Sequence, residues 1–222
     1  SYRPLNRKIR VACAGDSLTL GRIRANIGDD YPSQLRNMLG DASFEIHNYG
    51  RNSVTAIRGL PKSYDQTQGF QDSIALDPDI YLLMLGTNDV GYWAQHGHKY
   101  ATDLEWITQQ ATRTIVNLSS PATRIIVAIP PWVKQTSSAH DNTILVNEVQ
   151  PIIRELATTQ QLQLVDMHAV TVNQNDYFTS DNLHLNRKGY ERLAQVWKGA
   201  ILCNNNDVCE TGENCQTCPQ DC

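Results

Sequence analysis

A serine, a histidine and an aspartate in this 222-residue chain have the types and settings that nucleophilic catalysis requires. Ser17 follows an apolar run, Ile9 to Ala14, in the turn Gly15-Asp16-Ser17-Leu18. Such a turn presents a hydroxyl beyond the end of a strand on rigid backbone. A serine hydroxyl is a poor nucleophile until a base takes its proton, and the base needs a carboxylate to set its tautomer. His184 is the candidate base. In Asp181-Asn182-Leu183-His184 a carboxylate stands three residues before the imidazole, a separation that one turn closes into a hydrogen bond to Nδ1. Acyl transfer also needs donors aimed at the oxygen that becomes negative, each worth on the order of 3 kcal/mol. The backbone N–H groups of Ser17 and Gly50 and the side-chain amide of Asn88 are the available donors.

The elements that must position these residues are legible as periodicity. Short apolar runs at Ile9 to Ala14, Phe44 to Tyr49, Ile80 to Leu85, Arg124 to Ile129 and Leu162 to Val165 predict five strands. Helical spacing occurs at Tyr31 to Leu39, within Thr67 to Leu76, and at Thr102 to Leu118, Thr143 to Thr159 and Arg187 to Leu202. Strand and helix alternate, which predicts an α/β fold with a parallel sheet covered on both faces. In such a sheet function gathers beyond the carboxyl ends of the strands. The loops Gly15 to Leu18, Tyr49 to Asn52 and Gly86 to Asp89 should therefore share one edge.

Composition narrows the class. With 41% apolar residues the chain can bury a core of its own. Nineteen basic against 23 acidic side chains give a net charge of -4, with a pI near 5.8, which argues against a nucleic-acid partner. No apolar run approaches the roughly 20 residues that span a bilayer, so no membrane is expected.

The four blocks Gly15-Asp16-Ser17-Leu18, Asn48-Tyr49-Gly50, Gly86-Thr87-Asn88-Asp89 and Asp181 to His184 occur in the order and strand context of the SGNH or GDSL hydrolases, which the chain resembles over about residues 9–202. The resemblance implies an esterase with a three-layer, flavodoxin-like fold and a five-stranded parallel sheet. It also implies Ser17 as nucleophile, His184 as general base, Asp181 as its orienter, and Gly50 with Asn88 in the oxyanion hole. Within the family the chain is most similar to the compact carbohydrate O-acetylesterases, acetylxylan and sialate-type enzymes among them. The expected reaction is removal of acetyl groups from a poly- or oligosaccharide through an acyl-enzyme, by a monomer that requires no cofactor. A lipase or thioesterase acting on longer chains is one alternative, and an inactive glycan- or protein-binding module is another.

Other residues have competing readings. Asp16 and Asp89 flank the nucleophile and the amide, and are expected to bind loop N–H groups rather than substrate. Trp132, Arg51, Tyr92 and Trp93 lie in or beside the active-edge loops and are candidate substrate contacts, Trp132 by stacking on a sugar ring. Trp106 and Trp197 fall in helical patterns and are expected in the core. His96 and His98 lack the partners of a zinc site, and Cys13 reads as a buried strand thiol.

Five of the six cysteines, Cys203, Cys209, Cys215, Cys218 and Cys222, crowd into the last 20 residues, where apolar residues are nearly absent. This divides the chain into a catalytic domain, 1–202, and a disulfide-stapled tail, 203–222, and points to secretion. A start at Ser1, with neither Met nor a signal-peptide core, fits a mature or trimmed form, and Asn117-Leu118-Ser119 is a weak glycosylation triplet. The tail resembles a short Cys-rich motif of secreted multidomain proteins. Asn206, Asp207, Glu210, Glu213 and Asp221 offer oxygens suited to calcium, although a plain disulfide-stapled linker is the simpler reading. Five cysteines leave one without a mate inside the tail.

Overall fold

Five apolar runs become five parallel strands in the computed structural model, which describes residues 7–21, 28–112, 122–134 and 139–203. They are β1 (Ile9–Gly15), β2 (Phe44–Asn48), β3 (Ile80–Met84), β4 (Arg124–Ile129) and β5 (Gln163–Asp166), in the flavodoxin-like order β2-β1-β3-β4-β5. Every residue of β3 is buried, as are five of the seven in β1. That is why these strands read as continuous apolar runs rather than alternating ones. Val11 pairs with Ile46 on one side and with Ile80 on the other.

The helices are α1 (Ser17–Leu20), α2 (Tyr31–Leu39), α3 (Gln68–Ala75), α4 (Trp93–His96), α5 (Tyr100–Ala111), α6 (Asn142–Ile144), α7 (Gln150–Thr159), α8 (Met167–Thr171) and α9 (Arg187–Leu202). Side chains alternate between the two sheet faces. Val11, Cys13, Leu82 and Ile126 pack with Tyr31 and Leu35 of α2 and with Leu193 and Trp197 of α9. Ala12, Ala14, Leu83 and Val127 pack with Phe70 of α3, Leu104 and Ile107 of α5, and Ile153 of α7. Trp197 is in the core as expected, its ring 6.0 Å from that of Tyr31. Trp106 is only half-buried, and the Arg58 guanidinium covers its ring at 3.7 Å. Among the described residues no helix is long and apolar enough to cross a membrane.

The structure departs from the periodicity in two helices. The helix expected over Thr102–Leu118 starts two residues earlier and its described part ends at Ala111; the triplet at Asn117 lies outside the described residues. The helix expected over Thr143–Thr159 is interrupted by a π turn at Leu145–Val149. Pro151 has no N–H to offer the Asn147 carbonyl and its ring crowds that group, so the helix widens just ahead of it.

The two edges of the sheet do different work. Because β1 lies between β2 and β3, the chain leaves it in opposite directions, and the loops after β1 and β3 part at the carboxyl edge to form a crevice. The opposite edge holds the end of α9. Arg124, the first residue of β4, donates from Nη1 to the Ile201 carbonyl at 2.9 Å and from Nη2 to the carbonyls of Ala200 and Cys203 and to Gln163 Oε1. A guanidinium there satisfies the last helical carbonyls and opposes the negative end of the helix dipole. The six residues of β4, at about 3.3 Å each, place Cys203 roughly 20 Å from the crevice edge. The other tail cysteines, Cys209, Cys215, Cys218 and Cys222, and the oxygens considered for calcium at Asn206, Asp207, Glu210, Glu213 and Asp221 lie outside the described residues.

Arg124→Met keeps the apolar stem but strips several carbonyls of their donor. It is expected to lower the free energy of unfolding by about 1–3 kcal/mol, measured by urea denaturation. An unchanged midpoint would show that the end of α9 is held by other contacts.

Candidate active site

The crevice is built from the end of β1 outward. Asp16 caps α1, with Oδ1 accepting from the Leu18 N–H at 2.8 Å, while its carbonyl accepts from the N–H groups of Thr19 and Leu20. Ser17 is the first residue of this short helix, so its own N–H has no acceptor within the helix. At the far end Gly21 takes φ +74°, a conformation that favours glycine, and its N–H donates to the Ser17 carbonyl at 2.9 Å.

The residues after β2 meet this turn directly. A Cβ on Gly50 would stand 2.2 Å from the Leu20 nitrogen and 2.7 Å from its Cα, so only glycine fits. Asn48 Nδ2 donates to the carbonyls of Thr19 at 3.1 Å and Leu20 at 3.3 Å, and its Oδ1 accepts the Gly50 N–H at 3.0 Å. The Gly50 N–H, expected as an oxyanion donor, thus already has an acceptor.

Asn88 arrives from the loop after β3. Its Nδ2 donates to the Val54 carbonyl at 3.0 Å and, over a longer 3.3 Å, to Asp16 Oδ2. The next residue, Asp89, is fully buried and accepts the N–H of Ile57 on Oδ1 at 2.8 Å and that of Ala56 on Oδ2 at 3.1 Å. Both acidic residues therefore brace loops, as expected. Burial pushes the carboxyls of Asp16 and Asp89 up to about 7, while the N–H groups they accept pull the other way.

The base comes from the segment before α9. Ser17 Oγ lies 2.9 Å from His184 Nε2, and His184 Nδ1 lies 2.9 Å from Asp181 Oδ2. The second carboxylate oxygen of Asp181 accepts the N–H groups of His184 at 2.9 Å and Leu183 at 3.1 Å, and the Thr179 hydroxyl at 2.7 Å. The Thr179 N–H closes the loop on the His184 carbonyl at 2.8 Å, and Phe178 bridges to Leu185 beneath it. Partial burial acts to raise the Asp181 pKa, but the His184 N–H and imidazole, the Thr179 hydroxyl and the Leu183 N–H outweigh it. Together they hold the carboxyl well below the usual carboxylate range. An ionised Asp181 fixes the proton on Nδ1 and leaves Nε2 to accept from Ser17.

Three of the four expected substrate contacts have internal partners. Arg51 donates from Nη1 to the Gly50 carbonyl at 2.9 Å, and its guanidinium lies against Gly69. The Trp93 ring packs on Tyr100 at 5.4 Å and over Gly97. Trp132, half-buried, meets Phe178 edge-to-face at 5.7 Å and so braces the histidine loop. The fourth, Tyr92, is half-buried in the turn after Asp89. Cys13 is buried behind the nucleophile turn, and burial pushes its thiol up. Among the described residues no three His, Cys, Asp or Glu side chains are grouped to hold a metal ion.

Three site residues were given no role by the sequence. Asn48 opens the Asn48-Tyr49-Gly50 block and Thr179 lies just before Asp181, and only the folded loops reveal their acceptors. His140, after β4, is half-buried with Nε2 3.4 Å from Asn88 Oδ1.

Comparison with known proteins identifies the family and the fold. The model of the GDSL-like Lipase/Acylhydrolase family matches residues 13–192. An acetylxylan esterase of Xylanibacter ruminicola is 31% identical over 219 residues, covering 89% of this chain and 44% of that protein. The chain thus spans less than half the length of that relative. Among solved structures, an aryl esterase of M. smegmatis shares the fold with a TM-score of 0.69 at 20% identity, covering 87% of this chain and 98% of that one. A carbohydrate acetylesterase of Sinorhizobium meliloti does so with a TM-score of 0.67 at 20% identity, with the same coverage.

Both oxygens of Asp89 accept an N–H, and an amide has only one such oxygen. Asp89→Asn is expected to destabilise the protein by about 1–3 kcal/mol, read from chemical denaturation. Wild-type stability would mean that the 54–57 loop does not depend on the carboxylate.

Proposed function

The chain belongs to the GDSL-like lipase/acylhydrolase family, and from that premise we propose that it is a serine esterase removing short acyl groups, acetyl above all, from carbohydrate esters. The observation that carries this reading is the relay from Ser17 through His184 to Asp181, two contacts of 2.9 Å in line. An intact relay argues against an inactive binding module.

The chemistry follows from the geometry. Ser17 Oγ attacks the ester carbonyl as His184 Nε2 takes its proton, and the ionised Asp181 stabilises the imidazolium that results. The carbonyl oxygen becomes an oxyanion facing three donors: the Ser17 N–H, the Gly50 N–H shared with Asn48 Oδ1, and the Asn88 Nδ2 hydrogen that otherwise makes the long contact to Asp16. His184 then returns the proton to the departing sugar hydroxyl, leaving an acyl-serine. Water attacks that ester with His184 again as base, and the free acid departs. These steps need no metal or other cofactor, so a chelator should leave turnover unchanged.

Substrate assignment leans on the acetylxylan esterase relative. Trp132 and Tyr92, both half-buried, are the aromatics we assign to stack on a sugar ring, whereas Arg51 and Trp93 are assigned chiefly to hold local structure. A net charge of -4 suits a neutral glycan better than a nucleic acid or an anionic lipid surface. Secretion, a monomeric state and a disulfide-stapled tail, with or without calcium, complete the reading.

The test is acetate release from acetylated xylan and from an acetylated sialic acid, alongside acetyl and octanoyl aryl esters. Ser17→Ala should abolish turnover with the fold intact, and Asp181→Asn should lower kcat about 10^3- to 10^4-fold by favouring the wrong tautomer. Glycan deacetylation that depends on Ser17 supports the proposal. Preference for octanoyl ester moves the assignment to a lipase or thioesterase, and no turnover on any ester moves it to a binding module.

A further inference from the structure

Resting on the acyl-transfer reading above, we propose that His140 is a positioning residue for the oxyanion hole, its Nε2–H donating to Asn88 Oδ1 so that the amide presents Nδ2 to the developing charge. The site contains two imidazoles. His184 is bound to Ser17, and His140 stands at the Oδ1 end of the Asn88 amide, with Nε2 3.4 Å from Oδ1.

A primary amide has one face that helps an oxyanion and one that repels it, and the two differ by rotation about a single side-chain bond. Three neighbours select between them. The Val54 carbonyl accepts only, as does Asp16 Oδ2 when ionised, so they demand Nδ2 on their side. His140 Nε2, when it carries the proton, donates only, and demands Oδ1 on the other side. Each group taken alone permits partial rotation, whereas acceptors on one side and a donor on the other hold both ends. A donor on Oδ1 also draws electron density from the amide nitrogen and strengthens the N–H that faces the oxyanion. The bond thus tightens as negative charge appears on the substrate, which makes it worth more in the transition state than in the resting site.

The electrostatic setting suits a neutral donor. His184 becomes positive at the same moment, and a second cation close to it would oppose that charge. Burial, followed by the proximity of His184, lowers the His140 pKa and so favours the neutral ring. A neutral imidazole with its proton on Nε2 supplies the hydrogen bond without that repulsion.

The experiment compares His140→Leu, which fills the space without a donor, with His140→Gln, whose amide nitrogen reaches the position of Nε2. Each is made alone and combined with Asn88→Ala, and kcat and KM are measured on a soluble acetyl ester. His140→Leu should lower kcat about fivefold to tenfold, the scale of one hydrogen bond, with KM little changed, and His140→Gln should restore most of it. In the Asn88→Ala background His140→Leu should have no further effect. Wild-type kcat in His140→Leu, an equal loss in both backgrounds, or a change confined to KM overturns the proposal. Should His140→Leu not fold, the side-chain 15N shifts of wild-type His140 decide it. A protonated Nε2 supports the assignment and an unprotonated Nε2 overturns it. Asn88→Ala separates the two levels of argument, because wild-type turnover in that variant removes the oxyanion reading itself.

Discussion

The distance between Gly50 and the backbone of α1 controls the rest of the site. With any side chain at position 50 the end of β2 would be forced off the nucleophile turn, since even a methyl group would stand 2.2 Å from the Leu20 nitrogen. Contact at that range lets the Asn48 amide reach the carbonyls of Thr19 and Leu20. A helix of four residues has no stability of its own. It persists here because Asp16 satisfies its first N–H groups while Asn48 and Gly21 fix its last turn. Ser17 is thereby rigid before any substrate arrives, and the histidine has only to be delivered to a fixed point.

Delivery of the histidine is a separate construction. The segment from Thr179 to His184 folds around one carboxylate oxygen of Asp181, which gathers two N–H groups and a hydroxyl, while the other oxygen takes the imidazole. This concentration of donors is what keeps Asp181 ionised despite its partial burial. Trp132 then supports the loop from the β4 side through Phe178, and the Lys134 N–H donates to the Asn182 carbonyl at 3.2 Å. The His184 imidazole therefore depends on the loop after β4 as much as on its own four residues.

What the sequence revealed and what it concealed divide along physical lines. Strands β1, β3 and β4, buried on both faces, leave uninterrupted apolar runs, whereas the edge strands β2 and β5 are half-buried and carry fewer apolar residues; all five were nonetheless legible, with ends within a residue. The Asp181–His184 pair was legible because Asp181 stands three positions before His184 and no other carboxylate is so placed before a histidine. Asn48 and Thr179 act through backbone groups whose positions depend on the folded loops, and nothing in their spacing announces that. His140 meets Asn88 across 52 positions of chain, a contact created only by the order of β3 and β4. The π turn before α7 was concealed because periodicity in Thr143 to Thr159 continues through it, although Pro151 was the available signal. Loop residues conceal their partners in a different way. Trp93 and Arg51 lie in or beside the active-edge loops, and their packing on Tyr100 and Gly97 and on Gly69 is visible only in the fold.

The oxyanion hole proposed above adjoins the buried carboxyl of Asp16, and the two must not cancel. An ionised Asp16 competes with the oxyanion for the same Asn88 Nδ2 hydrogen, at 3.3 Å against the shorter distance that a charged substrate oxygen would take. Burial, aided by repulsion from Asp89, pushes the Asp16 carboxyl up to about 7. This shift reduces the negative charge beneath the hole and weakens the competitor. The Val54 carbonyl, a neutral acceptor, holds the other Nδ2 hydrogen and keeps the amide in place without adding charge. The long Asp16 contact is thus the one that yields when the substrate oxygen becomes negative. The fold can retain a carboxylate at the cap of α1, where the Leu18 N–H requires an acceptor, without cancelling the donors a few ångströms away.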